Sequence, residues 1–135
     1  MQNVDDILIF THSILRWFVL SFALFGAARS FVSMLSVSAH YTRLDTGLSR
    51  AYSALLDLQG LVGVLLVVTA LTLQQSVPWI HPIIMIPAIV VGHLSRRFAM
   101  HPERKRHQAQ LAIYLGSLAL VAIGLAVIGQ LSFPQ

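Results

Sequence analysis

The chain contains no cysteine, and only a tenth of its 135 residues are charged. The first absence excludes disulfides, iron–sulfur ligation and thiol nucleophiles. The second excludes an ordinary soluble domain, in which about a quarter of residues are charged. No glycine-rich nucleotide loop, HExxH zinc pair or hydrolytic triad occurs, which sets aside a stand-alone hydrolase or kinase. No period-two alternation marks the strands of a barrel.

What is present is apolar. Hydrophobic residues make up 56% of the chain, and four runs are long enough for a hydrocarbon core of about 30 Å, which takes roughly 20 helical residues. They cover residues 7–28, 51–73, 77–94 and 111–133. Backbone groups facing lipid must be paired within their own segment, so each run is expected to be a helix. The expected fold is all-α: residues 1–135 form a single transmembrane domain, a four-helix bundle with short loops. The first run is not read as a cleavable signal. Its flank is acidic (Asp5, Asp6), the run is too long, and no small-residue cleavage pattern ends it.

Charge sets the expected orientation. Arg29, Arg43 and Arg50 lie between the first two runs, and Arg96, Arg97, Arg104, Lys105 and Arg106 between the last two. Of the Lys and Arg residues, Arg16 alone falls elsewhere, so the positive-inside rule places both basic loops in the cytoplasm and both termini outside. The net charge of +4 then reads as a topology signal, the partner being the lipid bilayer and not nucleic acid. Trp79 falls at an outer interfacial position. The segments SVSAHYTRLDTGLS and HPERKRHQ read as polar loops, the second following Pro102, with His40, His101 and His107 as solvated side chains.

Ionisable groups inside a bilayer are costly and default to a functional hypothesis. Five need an account: His12, Arg16, Asp57, His81 and His93. At ~1.5 Å rise per residue, His12 lies about 7 Å and His81 about 6 Å below the outer boundary. Both halves of the chain place a histidine near the outer start (THSILRW, IHPIIMI) and arginine at the inner end. If this is a parallel repeat, His12 and His81 face each other across its axis. Two histidines at one level on different helices suit the axial positions of a b-type haem. Arg16, one turn from His12, would meet a propionate, and Met85, one turn below His81, is a substitute axial ligand. His93 lies about 18 Å from His12 along the normal by the same rise, so the two cannot share an iron. With Asp57 it is expected to form a buried hydrogen-bonded pair, a proton relay or a quinone contact. The bland alternatives stay open: interfacial histidines solvated by headgroups, Arg16 and Asp57 neutralising each other, and His93 capping its helix.

Small residues four apart (Ala23 with Ala27, Ala88 with Gly92, Ala112 with Gly116) allow close helix approach. Gly60 leaves space either for packing or for a flat cofactor, and Pro87 is expected to kink the third helix.

Taken together, His12, Ser13, Arg16 and Trp17 in the first run, Asp57 and Gln59 in the second, and His81, Pro82, His93 and Arg96 around the third resemble small bacterial four-helix membrane proteins labelled cytochrome b-like. The resemblance covers most of the chain and implies haem b, electron transport and the bacterial inner membrane. The chain departs from a full di-haem cytochrome b in lacking its four paired histidines; one outer haem is expected because His93 has no histidine partner at its own level. The expected function is a haem-binding electron carrier, or a small subunit working with other membrane redox subunits, that exchanges electrons with quinone or an outer-face partner. A cofactor-free accessory subunit and a small proton or solute transporter are the alternatives.

Overall fold

In a computed structural model, which describes residues 2–38 and 40–129, the protein is all-α. Its helices are α1 (Gln2–Leu35), α2 (Arg43–Thr72), α3 (Ile80–His93) and α4 (Glu103–Val127), with a 3-10 helix, Leu94–Phe98, continuing α3. Three of the four, α1, α2 and α4, are long and apolar enough to cross a membrane. The third differs from expectation: its 14 residues rise only ~21 Å. Pro82 is tolerated in the first turn, where no intrahelical N–H partner is needed. Pro87 lies inside α3 without ending it.

Helix ends follow capping chemistry more closely than hydropathy. The Asp45 carboxylate accepts from the backbone N–H and the hydroxyl of Thr42, each at 2.7 Å. α2 therefore starts two turns before its apolar run. Arg29 of α1 donates to the same carboxylate through Nε at 2.6 Å and Nη2 at 3.1 Å, tying the basic ends of α1 and α2 together. Pro102 precedes the first residue of α4, so most of HPERKRHQ is helix and not the solvated turn expected. His40 is exposed, but His107 is fully buried and gives its Nε2 to the His40 carbonyl at 3.2 Å. At the other end of α2, Gln75 N–H reaches the Ala70 carbonyl at 2.8 Å and Gln74 N–H the Leu71 carbonyl at 3.2 Å. This is a Schellman ending, with Gln74 left-handed at φ 56°. Residues 130–133, the expected end of the fourth helix, lie outside the described residues.

The helices form a ring in which α1 touches α2 and α4, and α3 touches α2 and α4, leaving α1 opposite α3 and α2 opposite α4. The α2–α3 seam is the loosest of the four. On α1, Val19, Ala23 and Ala27 face inward, where Tyr52, Leu56 and Tyr114 complete the main core. Ala88, Val121 and Leu125 form a second cluster. The Ala23–Ala27 and Ala88–Gly92 pairs are buried as small packing residues, whereas Ala112 is exposed and α4 packs through Ile113, Tyr114, Ser117 and Val121. The outer surface is greasy: Phe10, Leu24 and Val32 are each about two-thirds exposed (67%, 67% and 65%). Ser30, Ser49, Ser53, Gln110 and Ser117 are buried inside it.

Candidate functional site

His12 projects from the inward stripe of α1, two turns before Val19, and His81 from the first turn of α3. These helices stand on opposite corners of the ring, yet the imidazoles meet across it with ring centres 6.4 Å apart and planes at 74°. Both rings are half-buried.

Each ring has a defined second contact. His81 Nδ1–H donates to the Gly124 carbonyl at 3.0 Å, which leaves Nε2 as the lone-pair nitrogen. A backbone carbonyl on Nδ1 is the arrangement that orients metal-ligating histidines. Gly124 makes this approach possible, since a Cβ there would stand 3.4 Å from His81 Nδ1 and would overlap the Met85 methyl. On the other side, the Gln59 amide of α2 donates to His12 Nε2 and to the His12 carbonyl, both at 3.1 Å. His12 then carries its proton on Nδ1, a buried atom with no partner among the described residues, as is Gln59 Oε1. Gly63 lies beside the ring, where a Cβ would be 3.5 Å from His12 Cε1. Buried polar atoms of this kind are also found at His101, His107 and Gln110, away from this pair, so they are compatible with a further bonded group here without specifying it.

Two imidazoles are a donor set that would hold a haem iron, and 6.4 Å between ring centres would admit one ion only with both Nε2 atoms turned toward it. Ligation by His12 Nε2 requires Gln59 to release its bond. The space considered for a flat group over Gly60 is filled by Ile89, whose Cδ1 would be 2.7 Å from a Cβ there. Room for a macrocycle therefore depends on the loose α2–α3 seam. Among the described residues no cluster of three or more His, Cys, Asp or Glu is arranged to hold a metal ion.

Arg16 lies on the same face of α1 as His12, half-buried, with its guanidinium carbon 5.7 Å from the Trp17 ring. Met85 packs against the Ala88, Val121 and Leu125 cluster.

The second group lies toward the basic end. His93 Nε2 and Asp57 Oδ1 are 2.7 Å apart, so the aspartate takes this histidine as its partner across the α2–α3 seam. They line an open cavity of about 450 Å³ together with Arg50, Arg96 and Arg106, and the Asp57 side chain is exposed, so the pair is not the buried one expected from sequence. From sequence these arginines read as a topology signal with a modest attraction to anionic headgroups, and Arg96 also as part of the resemblance; that they share one cavity was not legible there. What gathers them is the 3-10 turn after α3 and the early start of α4, neither of which hydropathy signals.

Comparison with protein-family models, with curated proteins and with solved structures finds no match for this chain.

Proposed function

We propose that this chain is a haem b protein of the bacterial inner membrane that carries electrons between quinone in the bilayer and a redox partner at its outer face, with His12 and His81 as axial ligands. The 6.4 Å approach of two imidazoles from diagonal helices carries the reading. Three apolar helices of membrane-spanning length and a greasy exterior support the bilayer setting. The basic residues at one end support a cytoplasmic orientation for that end, with the termini outside.

When bound, the haem supplies one-electron exchange. The chain's own residues do the rest. Gly124 fixes the ring of His81 through its carbonyl. Gln59 holds His12 in place until a ligand displaces it. Arg16, one turn below His12, offers a guanidinium to a propionate. The outer ends of α1 and α3, nearest His12 and His81, are where a redox partner would dock.

Spectra of the purified protein test the proposal: reduced-minus-oxidised difference bands and iron are expected in the native chain and lost in His12→Ala and His81→Ala. A preparation with no Soret band after expression with a haem supply would sink it.

A second reading, a proton pathway, draws on the Asp57–His93 contact facing the cavity. It predicts pH-dependent flux in liposomes that Asp57→Asn abolishes, and flux without any haem would favour it.

A further inference from the structure

The basic end holds a feature that neither electron transfer nor topology uses. Arg50 of α2, Arg96 of the 3-10 turn and Arg106 of α4 come from three different elements and line one cavity. The nearest other arginine of α1, Arg29, is committed to Asp45. None of the three cavity arginines is in an ion pair among the described residues.

The carboxylate in the cavity lining, Asp57, is already engaged by His93 at 2.7 Å. Arg106 stacks over Tyr41, its guanidinium carbon 3.7 Å from the ring centre, an arrangement that aims a guanidinium without neutralising it. Burial, opposed by the pull of Arg106, raises the Tyr41 phenol above its ordinary value. Tyr41 therefore stays a neutral donor and does not offset the arginines. Three guanidiniums, one of them aimed by Tyr41, against one paired carboxylate leave the cavity with an uncompensated positive charge.

Depth and shape refine the ligand. Arg50 lies seven residues before Asp57 on α2, about 10 Å nearer the basic end, so the cations extend the lining from the Asp57–His93 pair toward that end. The lining comes from α2 on one side and from α3, its 3-10 extension and α4 on the other. The cavity thus opens along the loosest seam of the bundle. The two helices that flank the cavity also expose apolar side chains, Leu58 and Leu61 on α2 and Ile86 and Val90 on α3. A cationic cavity between helices with an apolar exterior matches a phosphate head with hydrocarbon attached. A volume of about 450 Å³ is in the range of small-ligand sites.

We infer that this cavity binds a net-anionic phosphate, with the headgroup of an acidic phospholipid from the inner leaflet as its source. Arginine suits the task because its planar donors pair with phosphate oxygens two at a time. The inference rests on the proposed membrane placement and is independent of haem.

Native mass spectrometry of the detergent-purified full chain, offered equal amounts of phosphatidylglycerol and phosphatidylcholine, tests it. Phosphatidylglycerol is expected to be retained in preference by roughly thirtyfold, the scale set by two arginines near a membrane surface. The preference should disappear in the double variant Arg50→Gln/Arg96→Gln and persist in Arg43→Gln, which removes an exposed charge from the same end but not from the cavity. A parallel melt with inorganic phosphate against chloride at equal ionic strength separates the sources. Stabilisation of the native chain but not of the double variant, without lipid preference, assigns the same site to a soluble phosphate. Equal retention of both lipids with no phosphate effect overturns the site, as does an equal loss in Arg43→Gln. Circular dichroism of each variant shows that its helices are intact. Retention of phosphatidylcholine alone would leave the membrane placement standing while the phosphate site fails.

Discussion

The Tyr52 hydroxyl of α2 donates to Ser117 Oγ of α4 at 2.6 Å across the centre of the bundle, and both side chains are fully buried. Ser117 passes the bond on, donating to the Ala88 carbonyl of α3 at 3.2 Å. One diagonal of the ring is thus closed by hydroxyls and the other by the two imidazoles.

The hydroxyl chain predicts an asymmetry. Tyr52→Phe leaves Ser117 with its bond to Ala88 and should cost about 1 kcal/mol, a typical net hydrogen bond. Ser117→Ala strands the Tyr52 hydroxyl in an apolar interior and should cost more, up to ~3 kcal/mol. Unfolding titrations of the two variants in the same detergent check the order, and a costlier Tyr52→Phe would contradict it.

Gly26 of α1 is where Tyr114 packs directly on the backbone. A Cβ there would overlap the edge of the phenol ring, and Tyr114 is itself buried to 1% exposure. Because the ring has no room to retreat, Gly26→Ala should destabilise by about 1–3 kcal/mol, the usual penalty for overpacking. Gly47→Ala, with nothing within 4 Å of the added atom, is the matched control. It should be neutral or slightly stabilising through helix propensity.

Gln74 ends α2 in a left-handed conformation, which a side chain disfavours by roughly 1–2 kcal/mol. Gln74→Gly should therefore raise stability, by about 0.5–1 kcal/mol once the greater freedom of glycine in the unfolded chain is offset. A lower melting midpoint for this variant would show that the ending is not Schellman-like in solution.

Haem content should depend on histidine position. His81→Ala removes a proposed ligand and is expected to abolish haem. His93→Ala lies 12 residues further along the chain, about 18 Å by helical rise, and should leave haem per protein unchanged. Haemochrome assay of both variants decides the point: equal loss would place the haem, or the fold it needs, at the basic end instead.

The sequence alone made several features legible. Apolar runs of membrane-crossing length fixed the all-α class, because hydrophobicity and length are local properties. The level shared by His12 and His81 was legible from helical rise, and the pairing of His93 with Asp57 from their shared isolation. Hidden from it were the extents of the helices. The Thr42–Asp45 cap and Pro102 start α2 and α4 earlier than their apolar runs, and the third run is part α-helix and part 3-10 turn. The burial of His107 is hidden for the same reason: once α4 begins at Glu103, its first turns point that ring inward.

Only tertiary structure decided which corners of the ring each helix occupies. That arrangement sets His12 against His81 across one diagonal and Tyr52 against Ser117 across the other. It also turned three arginines, scattered over more than fifty residues as a topology signal, into the rim of one cavity. Periodicity states which face of a helix is inward, but the partner it finds there depends on helix order and rotation, which are settled by packing between segments distant in sequence.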